Sequence, residues 1–185
     1  VMRPEPIYDA ISSVKEDNST VIYLSPQGQN YNQELANMLA KKEHLILLCG
    51  HYEGVDNRII DHYIDMEISI GDYVLTGGEI PAMVLIDSII RLLPGALGNR
   101  ESIVNESHYD GFLEHPQYTR PRTFNNISVP DILLSGNHKK IKEWRRYKAI
   151  ETTYMKRPEL LSKGILTEEE KIILKDIKQK LKDKN

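Results

Sequence analysis

Ser69-Ile70-Gly71-Asp72-Tyr73-Val74-Leu75-Thr76-Gly77-Gly78-Glu79-Ile80-Pro81 carries three glycines and a proline between a strand-like run, residues 65–70, and an apolar run, residues 82–93. Glycine admits positive φ and lets a backbone approach a ligand closely, and proline suits the first turn of a helix, where its missing N–H is not needed. The order is strand, loop, helix. In α/β proteins that order puts ligands at the carboxyl ends of the strands.

On the N-terminal side the same grammar repeats. A helix is expected over residues 7–15, and Val21-Ile22-Tyr23-Leu24 reads as a short buried strand broken by Ser25-Pro26-Gln27-Gly28. Residues 32–42 carry Leu35, Met38 and Leu39 at helical spacing, and residues 44–49 form the next strand, ended by Gly50-His51-Tyr52-Glu53-Gly54. Asp56 is placed to cap a helix over 57–63, after which residues 65–70 return to the sheet. Short strands alternating with helices imply parallel pairing, because a parallel neighbour needs a crossover connection. The expected fold is α/β, a parallel sheet with helices on both faces. Such a sheet gathers the loops at 23–28, 50–54 and 70–78 on one edge. Taken singly each is a plain turn; together they favour a site. Neither G-x-G-x-x-G nor G-x-x-x-x-G-K-[ST] occurs, which argues against a conventional nucleotide fold.

On the C-terminal side, residues 82–93 are apolar around most of a helix, with Met83, Leu85, Ile86, Ile89, Ile90 and Leu93, and are expected to be buried or at a subunit interface. Arg91 stands out in that company. Residues 96–122 have little periodicity and are long enough for a functional or disordered loop; they contain Glu101, Glu106, Asp110 and Glu114. A helix is expected over 137–155, with Ile141, Trp144, Tyr147, Ile150 and Tyr154 three or four apart among Lys139, Lys140, Lys142, Arg145, Arg146 and Lys148, and Arg157-Pro158 stops it. Thr167-x-x-Glu170 is a capping box opening a last amphipathic helix through Ile173, Ile177 and Leu181. The expected domains are 1–98, an α/β body; 99–130, a loop and linker; and 131–185, a helical unit.

The 185 residues are 40% hydrophobic, enough to bury a core. No apolar run is long enough to span a membrane and no leader pattern opens the chain, so a cytoplasmic protein without a membrane partner is expected. The net charge of −3 conceals a division: residues 1–134 balance to −10 and residues 135–185 to +7. That asymmetry fits a polyanion-facing region on an acidic body, although a solvated helical surface gives the same charge. Cys49, the single cysteine, lies in an apolar run and reads as a core residue. The six histidines show no ligand spacing, so no metal site is expected.

YLSPQG at 23–28, CGHYEGVD at 49–56 and SIGDYVLTGGEIPAMVLID at 69–87 resemble the bacterial tRNA (guanine-N1)-methyltransferases, the TrmD family of the SPOUT class. The match continues through RLLPGALGN at 91–99, HPQYTRP at 115–121, LLSGNH at 133–138, Trp144-Arg145 and RPELL at 157–161. The resemblance implies a trefoil-knotted cofactor domain, a homodimer with a composite active site, S-adenosyl-L-methionine as methyl donor, and N1 of guanosine at tRNA position 37 as the target. It further implies a strand, a helix and a glycine-rich loop ahead of Val1, so the start reads as truncated or processed.

By the same resemblance the cofactor residues are Tyr23, Leu24, Ser25, Pro26 and Gly28; Gly50, Tyr52, Glu53 and Gly54; and Ile70, Gly71, Asp72, Tyr73, Val74, Leu75, Gly77, Gly78 and Pro81. Arg91 takes the place of the cation that stabilises charge on the purine oxygen, and Glu106 that of the general base, where the family pattern has aspartate. Asp110 is the fallback. Were the loop only structural, Glu106 would be an ordinary solvated acid and Arg91 an ion-pair partner. His51, in its loop, is expected to hydrogen-bond rather than to catalyse. Lys139, Lys142, Arg145, Arg146 and Arg157 are the candidates for binding tRNA phosphates, with Trp144 and Tyr147 expected in the core. A SPOUT methyltransferase for another RNA, or a tRNA-binding module without catalysis, are the alternatives.

Overall fold

The computed structural model describes residues 1–96, 107–108, 111–163 and 166–183, and the chain forms two compact units, Val1–Gly98 and Asn99–Asn185. In the first, α1 (Pro4–Val14), β1 (Ser19–Asn30), α2 (Gln33–Leu39), β2 (His44–Cys49), α3 (Asn57–Tyr63), β3 (Met66–Ser69) and α4 (Glu79–Ile90) follow in order. The strands make a parallel sheet in the order β2-β1-β3.

Alternation along the central strand explains both layers. Ile22 and Leu24 point to one face, where Leu35 and Leu39 of α2 and Ala82, Leu85 and Ile89 of α4 bury them. Val21 and Tyr23 point to the other, against Ile7 and Ile11 of α1 and Val55 and Ile59 beside and within α3. Period two in the strand thus requires helices on both faces, and each fully buried aliphatic side chain stabilises the body by about 1.5–3 kcal/mol.

β1 does not end at Leu24 as expected. Leu24 pairs with Ile68, four residues leave the ladder, and Gln29 and Asn30 return to pair with Ile68 and Ser69. Pro26 has no N–H for the ladder, and Gly28 supplies the close return: a Cβ there would lie 2.4 Å from the Glu67 carbonyl carbon. The segment 25–28 is therefore a bulge inside a longer strand.

The helix boundaries follow their caps. Asn32 accepts from the Leu35 N–H at 2.9 Å, and Asp56 accepts from the Arg58 N–H at 3.0 Å. Asp56 also holds the Arg58 guanidinium, and that pairing brings its carboxyl down to about 2. α1 begins at Pro4, earlier than expected, because prolines in a first turn sacrifice no helical hydrogen bond. For the same reason α4 opens at Glu79 with Pro81 inside its first turn, and Arg91 becomes its C-cap.

α4 is not buried all round in this chain. Pro81, Ala82, Leu85 and Ile89 face the sheet, whereas Met83 is 68% exposed and Ile80, Ile86 and Ile90 are also exposed. One helix side suffices to cover the sheet, which leaves the opposite apolar side in solvent.

The second unit has a hairpin, β4 (Thr123–Phe124) and β5 (Ile127–Ser128), then α5 (Asp131–Leu134), α6 (His138–Lys156), α7 (Pro158–Lys163) and α8 (Glu168–Lys182). Asn125 and Asn126 both take positive φ, the turn that suits a two-residue hairpin. Ile150, Ile177 and Phe112 form the core. Both halves of the Thr167–Glu170 capping box are present.

Candidate cofactor cleft

The β1 bulge and the loops that follow β2 and β3 enclose a cleft of about 540 Å³. The first loop brings Tyr23, Leu24, Ser25 and Pro26 to its wall; the second brings Gly50, Tyr52, Glu53 and Gly54; the third brings Ile70, Gly71, Tyr73, Val74, Leu75, Gly77, Gly78 and Pro81. Gly28 and Asp72 are not in the wall. Gly28 sits against the β3 backbone instead, and Asp72 is exposed in the third loop.

Backbone contacts lock the loops together. Gly78 N–H donates to the Gly50 carbonyl at 3.0 Å, and His51 and Gly77 form an antiparallel bridge. The fit excludes side chains, since a Cβ on Gly78 would lie 2.6 Å from the Cys49 Cα. Across the same seam His51 Nε2 meets Glu79 Oε1, in the first turn of α4, at 2.5 Å, so His51 hydrogen-bonds as expected. The Glu79 backbone N–H at that helix start, and then His51, hold its carboxyl below the ordinary range.

The wall also contains residues that sequence reasoning missed, among them Gln27, His51, Asn57, Glu67, Ser69 and Thr76. Glu67 has the most chemical weight, because it adds a second carboxylate to Glu53. A polar residue between Met66 and Ile68 was the only signal for it. Burial, then Glu67, pushes the Tyr23 phenol up, so it stays neutral. Burial, then Glu79, does the same to the Cys49 thiol, which packs against the core and is no nucleophile. Among the described residues no Lys or Arg lines the cleft.

The sequence profile of the tRNA (Guanine-1)-methyltransferase TrmD family matches residues 1–163. The chain belongs to the TrmD family. The tRNA (guanine-N(1)-)-methyltransferase of Dictyoglomus turgidum is 56% identical over 183 residues, covering 99% of this chain and 74% of that protein. Proteins of the same name from Clostridium botulinum and Staphylococcus carnosus are 54% and 51% identical, covering 98% and 100% of this chain and 75% and 76% of their own lengths.

Against the residues expected from TrmD resemblance, the two catalytic positions fare differently. Arg91 is half-buried at the C-cap of α4, outside the cleft wall. Glu106 and Asp110 lie outside the described residues. Of the basic candidates, Lys139, Lys142 and Arg145 are exposed on α6. Arg146 instead bonds Glu170 through Nε at 2.8 Å and covers the Phe112 ring at 4.1 Å, and Arg157 pairs with Glu159. Trp144 stands outside the core cluster, half-buried, with its ring 6.4 Å from His115 and from Tyr118, while Tyr147 packs on the core as expected.

Proposed function

We propose that this chain transfers a methyl group from S-adenosylmethionine to N1 of guanosine at tRNA position 37. The make-up of the cleft carries that reading. Its backbone-rich wall holds two carboxylates, Glu53 and Glu67, three tyrosines and no Lys or Arg among the described lining residues. A phosphate ligand calls for cations or a free helix N-terminus, and the α4 start at the wall already carries the Glu79 carboxylate. A purine joined to sulfonium and ammonium groups suits carboxylates, aromatic faces and glycine-exposed amides. The volume also falls within the ~300–1,000 Å³ of small-molecule pockets.

S-adenosylmethionine, when bound, supplies an electrophilic methyl group. The chain's residues have the remaining tasks. The wall residues of the three loops orient the donor, and Gly28 shapes the bulge that carries the first loop. Guanine N1 must lose a proton, and we assign its removal to Glu106, with Asp110 as the next candidate. Charge developing toward O6 is stabilised by Arg91, whose planar fork suits an oxygen acceptor. The exposed apolar side of α4, with Met83, Ile86 and Ile90, supports pairing with a second copy and hence a composite site. Lys139, Lys142 and Arg145 bind tRNA phosphates, whereas Arg146 and Arg157 are committed to carboxylates.

Incubation with methyl-labelled S-adenosylmethionine and tRNA is expected to label N1 of guanosine 37, and adenosine at that position should abolish labelling. Label on a different nucleotide would move the substrate to another RNA. Absence of cofactor binding by calorimetry would leave only an RNA-binding protein.

A further inference from the structure

The helical unit contains its own cleft, of about 750 Å³, between the 112–115 segment, α6 and the start of α8. Resting on the reading that this unit binds tRNA, we propose that the cleft receives one unstacked nucleotide of the RNA, with the base on its apolar floor and the phosphate on its basic rim.

The floor is formed by Phe112, Ile141 and Ile173. It is held from three sides. Leu113 N–H donates to the buried Thr153 Oγ1 at 2.9 Å, Arg146 stacks on Phe112, and Glu170 fixes Arg146 while capping α8. The rim is built differently. His138, Lys142 and Arg145 are four and three residues apart, so they share one face of α6. Lys142 and Arg145 are exposed and make no ion pair among the described residues, while Arg146 in the same turn is bound to Glu170. One cation therefore secures the floor, and the others remain available to a ligand.

Those two surfaces match the two halves of a nucleotide. Phosphates are taken by lysine and arginine, and unstacked bases by apolar and aromatic surfaces; a duplex has its bases stacked inside and cannot present one to a floor. Glu114 and Glu169, also in the wall, offer acceptors for base amino groups.

The test is fluorescence anisotropy of the full chain with tRNA, a single-stranded RNA octamer, the same octamer in a duplex, and an octamer lacking one base. The expected order is single strand tighter than duplex, with the abasic octamer weaker than the intact one. The double variant Lys142→Ala/Arg145→Ala should weaken tRNA and octamer about tenfold or more and lower the salt slope by about 2. A charge-matched control, Lys140→Ala/Lys175→Ala, removes exposed lysines outside the cleft and should do much less. If the cleft variant binds like the control while tRNA binding persists, the cleft is not the site and the tRNA reading stands. Indifference to the missing base would remove the floor from the proposal and overturn it. If the unaltered chain binds neither tRNA nor octamer, the tRNA reading itself fails.

Discussion

The two units hold their clefts open by opposite means. In the sheet unit the walls are loop backbone, pressed together so closely that Gly78 has no room for a methyl group. In the helical unit they are side chains: an arginine held by a buried glutamate, and exposed lysine and arginine around it. Backbone walls tolerate little change, because the chain itself must move. Side-chain walls degrade one residue at a time. Substitutions should therefore have large, indivisible effects in the first unit and graded effects in the second.

Arg91 is the strongest challenge to that contrast, since it is a side chain in the backbone-built unit. Arg91→Ala is expected to lower turnover about 10²–10³-fold, the usual loss when one donor to a developing oxyanion is removed. Cofactor affinity by calorimetry should stay within about twofold. A matching loss of cofactor affinity would mean that Arg91 supports the cleft rather than the guanine. Glu106→Gln is read the same way, and retained turnover would pass the base role to Asp110.

Gly78→Ala tests the contrast directly. The added carbon meets the Cys49 backbone, which cannot rotate away, so a loss of about 1–3 kcal/mol in thermal or urea unfolding is expected together with loss of cofactor binding. Unchanged binding would show that the loops can part without consequence.

Glu170 is the counterpart in the helical unit. Burial pushes its carboxyl up, but the Thr167 N–H and Arg146 outweigh burial and hold it below its ordinary range. A lowered folded pKa gives stability that is present above the unfolded value and lost as pH falls through the folded one. The melting temperature should accordingly drop as pH falls below about 4.5, the ordinary glutamate range. Glu170→Gln should cost about 1–2 kcal/mol at neutral pH and flatten that acid dependence. A variant with the same acid limb would place the titration elsewhere.

How far these features could be read from sequence depends on how local their causes are. β2, α3 and the Thr167 box were legible because an apolar run or a capping side chain sits at the boundary it sets. The return of β1 after Gly28 was not, because it depends on the Glu67 backbone, nearly forty positions away. The loops that line the sheet unit's cleft were legible from glycine placement and family resemblance, yet Glu67 was hidden by strand alternation, which makes any polar residue resemble a solvent-facing one. Arg146 and Arg145 are adjacent and chemically alike. Only the burial of Glu170 separates the structural cation from the available one.

His51 gives the smallest expected effect and the finest test of the comparison. Its ring joins the second loop to Glu79 in the first turn of α4, across a seam whose other bonds are made by backbone. Both partners are substantially exposed, and exposed pairs contribute little because water competes for each charge. The bridge between His51 and Gly77 and the bond from Gly78 to Gly50 are made by main-chain atoms, so they survive truncation of the ring. His51→Ala should therefore raise the cofactor Kd by no more than about threefold. A much larger loss would mean that the clasp, and not the backbone seam, keeps the cleft closed, and the two units would then be built on the same side-chain principle.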